Sequence, residues 1–146
     1  MPQSLVSYWT AWNESDLALV PQHLAGAVTE DVEWNDPHES LHGILELEAV
    51  IRRLRMSKPG YRFVIASEVD HHNDRFRYRW DMLSRGRTLM EGLDIATVDP
   101  SVGLICRVDG FFGPPTPIKR RGSGVPGVLV HNEWSVAADS PDSGHW

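Results

Sequence analysis

The chain has a single cysteine, Cys106, in 146 residues. That excludes a disulfide framework and a cysteine-rich metal site. With Leu104, Ile105 and Val108 around it, Cys106 reads as an inert thiol on a strand. No apolar run approaches the roughly 18 residues that a membrane-crossing helix needs, so no membrane partner is expected. No basic segment followed by an apolar one opens the chain, so no export signal is read and a cytoplasmic location is expected. Basic residues are few: 14 Lys and Arg stand against 20 Asp and Glu, for a formal net charge of −6. The one basic cluster, Lys119-Arg120-Arg121, is too short for a phosphate-binding face, so nucleic acid is not an expected partner either. No internal repeat is present. Apolar side chains are plentiful, at 41% with six tryptophans, and a chain of this length can bury a core as one domain without staples.

The apolar pattern changes period part-way along. Leu5, Tyr8, Trp9 and Trp12 recur at helical spacing with Ser4 as a candidate cap, and Asn13-Glu14-Ser15-Asp16 breaks that helix. A second helix carries Leu17, Val20 and Leu24 up to Gly26. Val32 to Trp34 is a short strand, and Asp36-Pro37 fits a turn or a helix start. A third helix follows Gly43, with Leu45, Leu47, Val50, Ile51 and Leu54 on its buried side, and ends at Lys58-Pro59-Gly60. From Tyr61 the period is 2: a strand to Val69, a turn at His71-His72-Asn73-Asp74, then Arg75 to Leu83. In that last stretch Phe76, Tyr78, Trp80 and Met82 face one way and Arg75, Arg77, Arg79 and Asp81 the other. Two more strands follow, Leu89 to Val98 and Leu104 to Phe112. Strands after helices predict an α+β fold with a curved antiparallel sheet covered on one face by three N-terminal helices. Residues 114–146 are rich in Pro and Gly and read as a C-terminal extension to a domain at 1–113. Val128-Leu129-Val130 and Trp134 suit one short strand there, and Ser140 to Gly144 suits a frayed end.

Asp94 breaks the pattern of its strand. It shares a face with Met90, Gly92, Ala96 and Val98, where an apolar or small side chain is due. A buried acid is costly unless paired, protonated or functional, and small neighbours at Gly92 and Ala96 leave open space beside it. A second acid, Asp36, precedes Pro37, so two acids in one cavity suggest acid–base chemistry on a small apolar molecule. As a purely structural residue, Asp36 would be a turn or capping aspartate with Glu39, Tyr8 a helix aromatic, and Asp94 the partner of an arginine or histidine. His38-Glu39-Ser40-Leu41-His42 matches the H-E-x-x-H pattern, but that chemistry needs a sustained helix and a third ligand, and this segment is closed in by Pro37 and Gly43. No metal is expected. Arg75, Arg77 and Arg79 are expected on the outer sheet face, paired with Glu91 or Glu68. Leu93 and Ile95, apolar on that same face, suggest a subunit contact.

The order of elements, with Tyr8 to Asp16, Val32-Glu33-Trp34-Asn35-Asp36-Pro37 before Gly43, and Leu93 to Asp99 before Gly103-Leu104-Ile105, resembles the nuclear transport factor 2-like superfamily. Within it the chain is similar to SnoaL-like and ketosteroid-isomerase-like proteins. The resemblance covers about residues 4–113. It implies a cone-shaped fold, a homodimer through the sheet, and an isomerase-type site needing no cofactor. Asp36 would be the general base, with Tyr8 and a protonated Asp94 as donors to an enolate. The pocket for a small apolar or aromatic ligand would be lined by Trp12, Trp34, Phe76, Tyr78, Trp80, Met82, Met90, Val108 and Phe112. Alternatives are a hydrolase, hydratase or cyclase that positions water with the same acids, and a non-catalytic binding or interaction module. The longer stretch between Asp16 and Asp36, and the polar segment from Pro37 to His42, depart from the ketosteroid isomerase pattern.

Overall fold

In the computed structural model, residues 1–118 are described, and Met1–Pro114 packs as one unit. The readings made for Lys119-Arg120-Arg121, Val128-Leu129-Val130, Trp134 and Ser140 to Gly144 lie outside the described residues. Helix α1 (Gln3–Asn13) buries Leu5, Tyr8, Ala11 and Trp12 along one stripe. Its N-cap is Pro2 and not Ser4, whose side chain is buried inside the first turn. The Asp16 side chain accepts from Ala18 N and starts a single 3-10 turn, Leu17–Leu19, that runs into α2 (Val20–Ala25). Helix α3 (Ile44–Ser57) buries Leu47, Val50 and Ile51, whereas Leu45, expected inside, is 77% exposed. Position 45 falls in the first turn, outside the stripe that recurs at 47, 50, 51 and 54.

The strands are β1 (Val28–Asn35), β2 (Ser40–His42), β3 (Tyr61–Ile65), β4 (Asp70–His72), β5 (Arg75–Ser84), β6 (Arg87–Asp99) and β7 (Leu104–Phe112). They form one sheet in the order β2-β1-β7-β6-β5-β3, with β4 also on β5. Every pair is antiparallel except β1 with β7, which run parallel from Val28 beside Ile105 to Asn35 beside Asp109. The sheet is therefore mixed and not wholly antiparallel as expected. The helices α1 and α3 contact the same sheet, and the inward side chains of β1, β5, β6 and β7 join theirs in one core. Ile105 and Val108 are an odd number of residues apart, yet both are buried. An irregularity between Thr97 and Val98, opposite Cys106, resets the alternation between them. His71 and His72 belong to β4, so the turn is only Asn73-Asp74, both at positive φ, as befits a two-residue hairpin. On the outer face Arg79 pairs with Glu91 at 3.4 Å, while Arg77 pairs with Asp70 and not with Glu68. Among the described residues no helix is long and apolar enough to cross a membrane.

Strand β3 is at the sheet edge and needs an anchor. Asn13, at the end of α1, supplies it by donating to Phe63 O at 2.9 Å and accepting from Phe63 N at 2.7 Å. Replacing Asn13 by Ala leaves two partly buried backbone groups unpaired. Asn13→Ala is expected to lower stability by about 1–3 kcal/mol in urea denaturation. A loss below about 0.5 kcal/mol would show that pairing with β5 and packing hold β3 without the Asn13 bonds.

Candidate functional site

The centre of the site is set by strand register. On β6, Asp94 is paired with Tyr78 of β5 on one side and Gly110 of β7 on the other, facing the helices. It is 5% exposed. Tyr78 donates its hydroxyl to Asp94 Oδ2 at 3.0 Å, and Trp80 donates Nε1–H to Oδ1 at 2.9 Å. Its partners are thus a tyrosine and a tryptophan, not the arginine or histidine of the structural reading. Trp80 reaches the acid by lying over Gly92, its cross-strand partner, where a Cβ would come within 2.1 Å of the indole. The space expected to be open beside Asp94 at Gly92 is thus filled by Trp80. Burial pushes the Asp94 carboxyl up to about 6, against the downward pull of its two donors, with further upward pushes from the Asp36 and Asp109 charges.

Tyr8 on α1 is 1% exposed, and its oxygen accepts from Trp34 Nε1 at 2.7 Å. Among the described residues its own hydrogen is donated to no acceptor. Burial first, and then the charge on Asp94, hold the hydroxyl far above its ordinary range, so Tyr8 is a neutral donor. Asp36 lies just past β1 in a four-residue turn, where its Oδ1 accepts from His38 N and Glu39 N, both at 2.8 Å, and its own N–H donates to Glu39 O at 2.9 Å. The segment turns into β2 and does not start a helix. The other carboxylate oxygen of Asp36 accepts no hydrogen bond among the described residues. The two acids meet across Gly110. The position a Cβ would occupy there is 2.8 Å from Asp94 Oδ1 and 3.8 Å from Asp36 Cβ.

Tyr8, Asp36 and Asp94 all border one cavity of about 250 Å³ between the helices and the inner sheet face. Its walls are mainly aromatic: Trp9 and Trp12 of α1, Trp34 of β1, Phe63 of β3, Trp80 of β5 and Phe112 of β7. Seen as chemistry, the arrangement offers one free neutral donor, one buried acid that titrates near neutrality, and one carboxylate oxygen without a hydrogen-bond partner, all in an apolar space.

No protein-family model matches this sequence, and no curated protein matches it. Solved structures do. A provisionally named isomerase of the SnoaL-like family from Agrobacterium tumefaciens is 30% identical, over 77% of this chain and 96% of that one, with a TM-score of 0.71. The chain belongs to the SnoaL-like family. More distant structures share the fold. A provisionally named polyketide cyclase from Sinorhizobium meliloti is 16% identical over 75% of this chain and 94% of that one, with a TM-score of 0.62. TerC, crystallised with polyporic acid, is 15% identical over 76% and 89%, with a TM-score of 0.61.

In this SnoaL-like chain Trp12, Trp34, Trp80, Met82, Met90, Val108 and Phe112 border the cavity, but Phe76 and Tyr78 do not. Tyr78 is fully buried beneath it with its hydroxyl on Asp94, and the Phe76 ring stacks on His71 at 4.4 Å, nearer the β4 end. Alternation fixes which face a side chain takes, not how far along the strand the cavity extends. Several lining residues were not anticipated: Trp9, Phe63, Gly110, Glu39 and the α3 residues Val50, Arg53, Leu54 and Ser57. The α3 set follows helical spacing on one face, which is the signal that could have found Arg53 and Ser57. Arg53 donates to Glu39 Oε1 at 2.7 Å. The H-E-x-x-H stretch is a turn leading into β2. Glu39 is held by Arg53, and His38 packs on Phe112 at 5.2 Å. Among the described residues, no three His, Cys, Asp or Glu side chains are grouped to hold a metal.

The raised Asp94 pKa has a stability consequence with a definite sign. The folded chain keeps a proton up to about pH 6 that the unfolded chain releases near 3.8. Wild type should therefore lose stability relative to Asp94→Asn as pH rises from about 4 to about 6, by on the order of 3 kcal/mol, and change little above that. Urea denaturation of both proteins across pH 4–7 measures this, and a pH-independent difference would contradict it.

Proposed function

We propose that this SnoaL-like chain binds a small, largely apolar carbonyl or phenolic compound and moves protons on it by isomerase- or cyclase-type acid–base chemistry. The observation that carries the reading is the Tyr8 hydroxyl, whose oxygen is occupied by Trp34 and whose hydrogen meets no acceptor among the described residues, in the same cavity as two acids. A carbonyl oxygen seated at Tyr8 takes that hydrogen bond. The free oxygen of Asp36 removes the proton from the adjacent carbon, and the electron pair of the broken C–H bond moves into the enolate, whose negative oxygen Tyr8 stabilises. Returning the proton from Asp36 to carbon restores the carboxylate. Asp94 is a second donor only while it carries its proton, so the rate falls as pH rises through about 6. Positioning a water with the same acids would give the hydrolytic or hydrating variants of this chemistry.

The second reading, a non-catalytic binding module, is favoured by one feature: both acids already have structural bonds, Asp36 in its turn and Asp94 to Tyr78 and Trp80. Exchange of the α-hydrogens of 2-tetralone in heavy water, followed by nuclear magnetic resonance, separates the two. The catalytic reading expects exchange faster than in buffer, reduced about 10²- to 10⁴-fold by Asp36→Asn, with bound 2-naphthol retained. Binding of 2-naphthol without accelerated exchange would leave the module.

The outer sheet face, with Leu93 and Ile95 half-buried and Phe111 56% exposed among the Arg79–Glu91 and Arg107–Glu33 pairs, supports a homodimer through the sheet. Light scattering at micromolar concentration is expected to give twice the chain mass, and a monomer would overturn it.

A further inference from the structure

The cavity is graded from end to end. Tyr8 and Asp94 are 1% and 5% exposed, whereas the Arg53 and Glu39 side chains that border the same cavity are 65% and 31% exposed. One polar pair is therefore deep and the other is at the mouth. Between them the walls are largely aromatic, and among the described lining residues the polar groups without a partner are the second Asp36 oxygen, beside Gly110, and the buried indole N–H groups of Trp9 and Trp12. At the packing density of about 0.75 found in protein interiors, 250 Å³ accommodates roughly 190 Å³ of ligand, about 12–15 carbon-like atoms. That is the size of two fused or linked rings with substituents.

The mouth pair has its own selectivity. Arg53 is the one cation among the described lining residues, against Asp36, Glu39 and Asp94. A carboxylate at the mouth could reach Arg53 only by standing beside Glu39 and adding a further negative charge to that acidic set. A hydroxyl would not. It can accept from Arg53 and donate to Glu39 at once, leaving the ion pair in place.

We propose that the Arg53–Glu39 pair is a second recognition site of the cavity, selecting neutral two-ring compounds that carry a hydroxyl at the end opposite the oxygen that meets Tyr8. This rests on the ligand-binding part of the reading above and assigns the mouth a role in it. Arg53 is here a specificity residue and takes no part in proton transfer.

Calorimetric titration with two matched pairs tests it: 2-naphthol against 2,6-dihydroxynaphthalene, and 4-phenylphenol against 4,4′-dihydroxybiphenyl. At least one diol is expected to bind about 5- to 25-fold tighter than its mono-ol, of which twofold is the statistical gain of a symmetric ligand. Arg53→Met, which keeps the apolar stem, is expected to return that ratio to about two. 6-Hydroxy-2-naphthoate is expected to bind more weakly than the naphthalenediol. If the mono-ols bind but neither diol gains more than twofold, or if the gain survives Arg53→Met, the mouth assignment falls and the deep site stands. If none of the phenols binds, the ligand-binding reading falls and takes the mouth assignment with it.

Discussion

The Asp94 carboxylate lies under aromatic rings, where an unpaired charge would cost several kcal/mol, and three strands are arranged around that cost. Strand β5 supplies the Tyr78 hydroxyl and the Trp80 indole. Strand β6 gives up a side chain at Gly92 so that the indole can reach, and β7 gives up one at Gly110, where a Cβ would press on the carboxylate itself. The two glycines are consequences of the acid, one on each side of it. Relieving the acid fully would have made an inert core. The balance left in place, with burial outweighing both donors, holds its proton affinity near neutrality.

Tyr8 is the complement of that acid. It is buried at the same depth but on a helix, and its oxygen is filled from the third side by Trp34. A hydroxyl that accepts from an indole is oriented without its hydrogen being consumed. The cavity thus has a donor and a titrating acid at its inner end. Asp36 is brought beside them by the parallel pairing of β1 with β7, which sets Asn35 against Asp109 and so brings the Asp36 turn to Gly110. Register, more than any single side chain, assembles the site.

How much of this was legible depended on the range of the interaction. Helical spacing at Leu5, Tyr8 and Trp12, and alternation from Phe76 to Met82, come from neighbours in the chain, and they gave the helices, the strands and the inward faces. Asp94 stood out for the same reason, as an acid on an apolar face. The parallel β1–β7 pairing joins segments some 75 residues apart and leaves no local signature. The filling of the Gly92 gap needed the cross-strand position of Trp80, which alternation on β6 alone does not contain. Phe76 and Tyr78 were on the right face but at the wrong place along the strand. Helical spacing on α3 places Arg53 on the cavity side, but its pairing with Glu39 is on a turn that only the folded chain brings to α3. The position of Asp94 on an inward, apolar face was readable, and the geometry that divides deep from exposed polar groups was not.

The most direct test of the account is a crystal structure of the chain with 2-naphthol. The rings are expected inside the aromatic walls and the naphthol oxygen about 2.7 Å from the Tyr8 oxygen, with Trp34 still donating to Tyr8 and Trp80 still on Asp94. A naphthol lying with its oxygen at Arg53 and no partner at Tyr8, or bound only outside the cavity, would contradict the claim that the buried hydroxyl and acid form the recognition site.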